Sequence, residues 1–116
     1  MNYDGLPVYK ASYDLLLEIF GFTRNFHKEY KYTLGESIKR EAVEMIGCIY
    51  RANAAQHKVD ILAKAREHVE VLRLYVRLMK DLRQISLPQF VRLNEHIELV
   101  SRQLTGWQKS QKQARH

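Results

Sequence analysis

Cysteine occurs once in the 116 residues, at Cys48. No internal disulfide can form, and a lone thiol suits a reducing compartment. Breakers are scarce too, with five glycines and two prolines. So few of them argue against many short strands and favour long helices. No two glycines lie within a few residues of each other, which excludes a Gly-rich phosphate loop. The longest apolar run, Met45 to Tyr50 with Gly47 inside it, is far short of the ~20 residues a membrane span needs. Met1-Asn2-Tyr3-Asp4-Gly5 lacks the basic segment and apolar run of a secretory signal. Together these absences predict a cytoplasmic protein.

Negative charge is also in short supply. Nineteen Lys and Arg stand against thirteen Asp and Glu, a net charge of +6. That sign favours polyanions such as nucleic acid, although many basic proteins bind none. The distribution says more than the sum. Residues 1–22 hold Lys10 against Asp4, Asp14 and Glu18, so the start of the chain is acidic. Residues 23–58 hold seven bases and four acids, residues 59–85 six and four, and residues 86–116 five and two.

What is present is helical periodicity. The length fits one domain, which buries roughly 65% of the surface its unfolded chain would expose. A first helix is predicted from Pro7 to Phe26, with Tyr9, Tyr13, Leu16, Phe20 and Thr23 as its stripe, widened by Leu17 and Ile19. Gly21 leaves room for a neighbouring helix. After a polar loop over residues 27–32, Thr33 and Glu36 have the spacing of a capping box. The second helix runs to Ala54 on the stripe Leu34, Ile38, Ala42, Met45, Ile49 and Ala52.

A short turn is placed near residue 56, because one helix over residues 33–85 would have no compact partner. The third helix, Val59 to Ile85, carries Leu62, Ala65, Val69, Leu72, Val76 and Met79. Ser86-Leu87-Pro88-Gln89 reads as an N-cap, a first turn with proline and a capping-box glutamine. Phe90, Leu93, Ile97, Val100, Leu104 and Trp107 then alternate spacings of three and four. Residues 1–108 therefore form an all-α, up-down-up-down four-helix bundle. Residues 109–116 form a basic tail without large apolar side chains, expected to be frayed.

No catalytic constellation is visible. The five histidines never fall at i, i+3 or i+4, and no Glu-x-x-His motif is present, so no metal or other cofactor is expected. Cys48 reads as a small packing residue. No serine has a local base.

The cations are more ordered. Arg66, Glu70, Arg73, Arg77, Lys80 and Gln84 recur every three or four residues beside the core stripe of the third helix. Such a row can neutralise successive phosphates, and equally can be a solvated face laced with Arg–Glu pairs. A second cluster, Arg24, Lys28 and Lys31 beside Tyr30 and Tyr32, could stack bases, although such groups more often cover the end of a core.

Three stretches carry a resemblance to a known family. They are Leu15-Leu16-Leu17-Glu18-Ile19-Phe20 with Phe26-His27-Lys28-Glu29-Tyr30-Lys31-Tyr32-Thr33-Leu34-Gly35, then Leu72-Arg73-Leu74-Tyr75-Val76-Arg77-Leu78-Met79, then Leu104-Thr105-Gly106-Trp107. In order and spacing, from about Tyr9 to Trp107, the chain resembles the accessory variability determinant proteins of diversity-generating retroelements. These sit in a wider family of small four-helix bundles that includes proteins encoded in intervening sequences of 23S ribosomal RNA genes. The resemblance implies a homopentameric barrel that associates with a reverse transcriptase. It also implies binding of RNA or DNA through basic surfaces, in support of mutagenised cDNA synthesis from template RNA. Arg73 and Arg77 match the basic positions of the third-helix stretch; Arg66 and Lys80 share their face. A ring would also give Leu74 and Leu78 an apolar neighbour. The alternative is an assembly scaffold of the ribosomal type, without a polymerase partner.

Overall fold

A computed structural model describes residues 7–114. Four long helices and one short one account for most of them: α1 (Pro7–Thr23), α2 (Lys28–Lys31), α3 (Leu34–Ala54), α4 (Val59–Asp81) and α5 (Leu87–Ala114). The long helices form a rod of 50 × 22 × 21 Å. Around it, α1 packs on α3 and α5, and α4 packs on the same two helices from the opposite corner. Each neighbouring pair is antiparallel. Tyr9 at the start of α1 meets Tyr50 near the end of α3, and Arg66 early in α4 meets Gln108 late in α5. This is the up-down-up-down order that short connections impose. Among the described residues, no helix is long and apolar enough to cross a membrane.

The predicted stripes of α3 and α4 are buried throughout, as are Leu93, Ile97, Val100 and Leu104 of α5. Phe90 and Trp107 pack against the edge of this core. In α1 the predicted stripe is displaced. The buried residues are Val8, Tyr9, Ser12, Leu15, Ile19 and Thr23, while Tyr13, Leu17 and Phe20 face outward. Apolar residues surround much of α1, so periodicity fits two overlapping stripes. Burial selects the one through Ser12, whose hydroxyl is satisfied by donating to the Tyr9 carbonyl at 2.9 Å.

α1 stops at Thr23, three residues short of the expected Phe26, which still caps the core from the turn beyond. Gly21 has no helix against it; a Cβ there would meet only the tip of Arg24. The close approach is at Gly35 instead, where a Cβ would lie 3.4 Å from the Tyr30 carbonyl and 3.5 Å from Phe26.

The segments flanking the long helices differ from the expected ones. Part of the polar loop over residues 27–32 winds into the single turn of α2. Thr33 forms no capping box; its hydroxyl donates back to the Glu29 carbonyl at 3.0 Å, closing α2 rather than opening α3. The expected tail continues α5 as helix through Ala114, since Gln, Lys and Ala are good helix formers. Arg115 and His116 lie outside the described residues, as do residues 1–6.

The turn between α3 and α4 falls where expected, at residues 55–58. It is held by Lys58, whose ammonium donates to the carbonyls of Ala52, Asn53 and Ala55. At the α5 N-terminus the capping box is complete: the Gln89 amide donates to the Ser86 hydroxyl at 3.2 Å, and the Ser86 amide to the Gln89 side chain at 2.8 Å. Ser86→Ala is expected to cost about 1 kcal/mol of stability, read as a lower urea midpoint with an unchanged slope.

α4 ends at Asp81, earlier than the predicted Ile85, in a Schellman motif. The Gln84 amide donates to the Met79 carbonyl and the Arg83 amide to that of Lys80. Arg83 occupies the left-handed position at φ 61°, where glycine is usual. For a side chain other than glycine this conformation costs roughly 1–2 kcal/mol. The attraction of a cation to a helix C-terminus returns only about 0.3–1 kcal/mol.

Candidate nucleic-acid interface

The row on α4 lies along the groove between α4 and α5. Arg66, Arg73 and Lys80 are seven residues apart, so they share one side of the helix about 10 Å from each other. Each reaches toward α5. Arg66 donates to the Gln108 side-chain oxygen at 2.6 Å, Arg73 to Glu98 at 2.9 Å, and the Lys80 ammonium sits 4.8 Å from the centre of the Phe90 ring. Gln108, buried at the end of α5, also donates to the Val59 carbonyl, which fixes the register of the two helices.

These cations are partnered. Arg73 also meets Glu70 at 3.0 Å, and Arg77 meets Asp81 at 3.2 Å. Partial burial pulls the Arg73 pKa down, but its hydrogen bonds to Glu70 and Glu98 outweigh this and hold it above the ordinary value. Surface pairs of this kind are worth about 0–1 kcal/mol, so an arriving phosphate can displace a carboxylate at little cost.

The second cluster lies elsewhere. Arg24 follows α1, and Lys28 and Lys31 sit on α2, at the end of the bundle where α4 finishes and α5 begins. Lys31 lies 6.0 Å from the ring of Tyr32, which is 66% of the way to full exposure for its residue type. The Glu29 carboxylate, through a side-chain hydrogen bond, holds the Tyr30 phenol above its usual pKa. The fold joins this cluster to the end of the α4 row. The His27 amide donates to the Gln84 side chain at 2.8 Å, and an open cleft of about 510 Å³ between them is lined by His27, Lys28, Glu29, Tyr30, Leu82, Arg83 and Gln84. Spacing along α4 does not point to Arg83, because it is off the helical row and nothing local marks its backbone state.

His68, His96 and the thiol sit apart from these surfaces. His68 meets Glu41 at 2.6 Å across α4 and α3, and His96 meets Glu18 at 2.8 Å across α5 and α1, with Arg92 on the same carboxylate. No group of three metal-ligating side chains occurs among the described residues. Cys48 is buried in the core.

Apolar side chains are exposed on each long helix, with Leu87, Val91 and Leu99 on α5. On α4, Leu74 and Leu78 are 65% and 40% exposed, with Val71 one turn before Leu74. On α1 and α3, Tyr13, Leu17, Phe20, Val43 and Tyr50 are exposed, with the Lys39 ammonium 5.4 Å from the Phe20 ring.

Among curated proteins, none matches the sequence. The family model described as bAvd-like matches residues 8–111, which span all four long helices, and the chain belongs to that family.

Proposed function

We propose that this chain is a non-catalytic, nucleic-acid-binding accessory protein of a retroelement reverse transcriptase, acting in the cytoplasm. It supports mutagenic cDNA synthesis from template RNA, and the partner polymerase does the chemistry. Membership of the bAvd-like family supports the accessory role. The observation that carries the binding role is the in-register row of Arg66, Arg73 and Lys80 along the α4/α5 groove, with Arg77 beside it. Cations in line along one groove can neutralise phosphates of a strand lying over it, and each phosphate contact releases counterions. Arg24, Lys28 and Lys31 extend the basic surface at one end of the rod, and Lys109 and Lys112 at the other. Five copies assemble into a ring, with the leucines of α4 between neighbours.

Arg73→Ala with Arg77→Ala is expected to weaken RNA affinity about tenfold at low salt and to flatten the salt dependence by one to two phosphate contacts. Circular dichroism should be unchanged, since both side chains lie outside the core. Equal affinity and equal salt slope would take these arginines out of the interface.

A second reading is a scaffold of the ribosomal intervening-sequence type, without a polymerase or nucleic-acid partner. The two carboxylates on Arg73 favour it, because they satisfy that cation internally. Its mark is an oligomer that binds no RNA or DNA even at low salt.

A further inference from the structure

We infer that the cleft between α2 and the α4–α5 turn is a phosphate-binding site for single-stranded nucleic acid, anchored by Arg83. The inference rests on the nucleic-acid-binding reading above and gives it a second contact point, at the end of the rod.

Three observations converge there. Arg83 holds a strained left-handed backbone at a position where glycine would be relaxed. The two Schellman hydrogen bonds hold that conformation whatever the side chain, so they do not select arginine over glycine, and Lys80 already supplies a cation in the last turn. What the helix ending does not explain is an arginine where glycine would be relaxed, and that arginine is exposed and lines the cleft.

The charge at the cleft is also unspent. Among the described residues, Lys28 and Arg83 form no ion pair, in contrast to Arg73 and Arg77. Glu29 is the only carboxylate that lines the cleft, and Lys28 and Arg83 line it with Glu29. A phosphate entering there displaces solvent and counterions rather than a protein carboxylate.

The walls are fixed in place. Gln84 accepts from the His27 amide and donates to the Leu82 carbonyl at 2.8 Å, so α2 and the turn are tied together before any ligand arrives. An Arg fork held on a fixed turn suits bidentate contact with phosphate oxygens. Tyr32, exposed two residues beyond Tyr30 of the cleft wall, offers a face on which an unpaired base can stack, and this favours a single strand.

The experiment compares the full chain with Arg83→Gly and Arg83→Lys, by fluorescence anisotropy with a short unstructured RNA over a salt series and by thermal unfolding. Arg83→Gly is expected to raise the melting temperature by about 2 °C, because glycine relieves the strain while loosening the unfolded chain. The same change should weaken RNA affinity about fivefold and reduce the salt slope by about one phosphate. Arg83→Lys should keep the slope. A more stable Arg83→Gly protein that binds RNA as tightly as the wild type, with the same slope, overturns the cleft and leaves the α4 row standing. A wild-type protein that binds no RNA at low salt overturns both.

Discussion

Leu72→Ala is expected to lower the unfolding free energy by about 3 kcal/mol, and the melting temperature by about 10 °C. Leu72 is fully buried at the middle of α4, the helix that packs on both α3 and α5. Truncation removes three carbons from a fully buried site on a helix packed against both α3 and α5, and helices held on two sides cannot close the space. The loss therefore combines transfer free energy with a cavity term. Urea unfolding followed by helicity, at fixed protein concentration, measures it. Leu74→Ala, two residues away on the exposed side, sets the scale for a surface change, at about 0.5 kcal/mol or less in a single chain. A Leu72→Ala loss no larger than that of Leu74→Ala would contradict the assignment of the α4 core stripe.

That contrast shows where the sequence was readable. In α3, α4 and α5 charged residues break up the outer side, even with apolar ones such as Val43 and Leu74 among them, so a period near 3.6 admits one continuous buried stripe. In α1 the charged residues are few, and Tyr13, Leu17 and Phe20 compete with Leu15 and Ile19 for the inside. Only the positions of α3 and α5 decide between them. Ser86 and Gln89 were readable because a capping box is a local code, carried by four consecutive residues. The α3–α4 turn has no such code. It contains neither glycine nor proline, and Lys58 builds it by reaching back over three carbonyls.

The candidate interface divides in the same way. The row of α4 follows from spacing within one helix. The Glu98 partner of Arg73 comes from α5 and depends on the register that Gln108 fixes. The cleft at the end of the rod joins residues 27–30 to residues 82–84, more than fifty positions apart, through one hydrogen bond from His27 to Gln84. No periodicity links those segments, and the left-handed state of Arg83 has no sequence mark, since glycine is the residue that would advertise it.

Leu74→Gln with Leu78→Gln is expected to convert the proposed ring into single chains while leaving the bundle folded. Light scattering should fall to the 13.8 kDa of one chain, with helicity retained. Glutamine keeps helix propensity and adds no charge, so the basic surfaces are untouched. In a lone chain the two leucines contribute little to stability, because they already face water. Between subunits, burying what the two still expose, which is close to one leucine side chain in all, would be worth about 1.5–3 kcal/mol, and a closed ring repeats that contribution at every interface. The opposite side of the rod supplies a complement of a different kind. Tyr13, Leu17, Phe20 and Val43 form an apolar surface on α1 and α3, and two unlike surfaces on one chain make a head-to-tail contact, which closes into a ring when the rotation between them allows. The α1 residues that misplaced the predicted core stripe are thus the ones a neighbouring subunit would cover. A double variant of undiminished mass would move the contact off α4, and a wild-type protein of single-chain mass would remove the ring altogether.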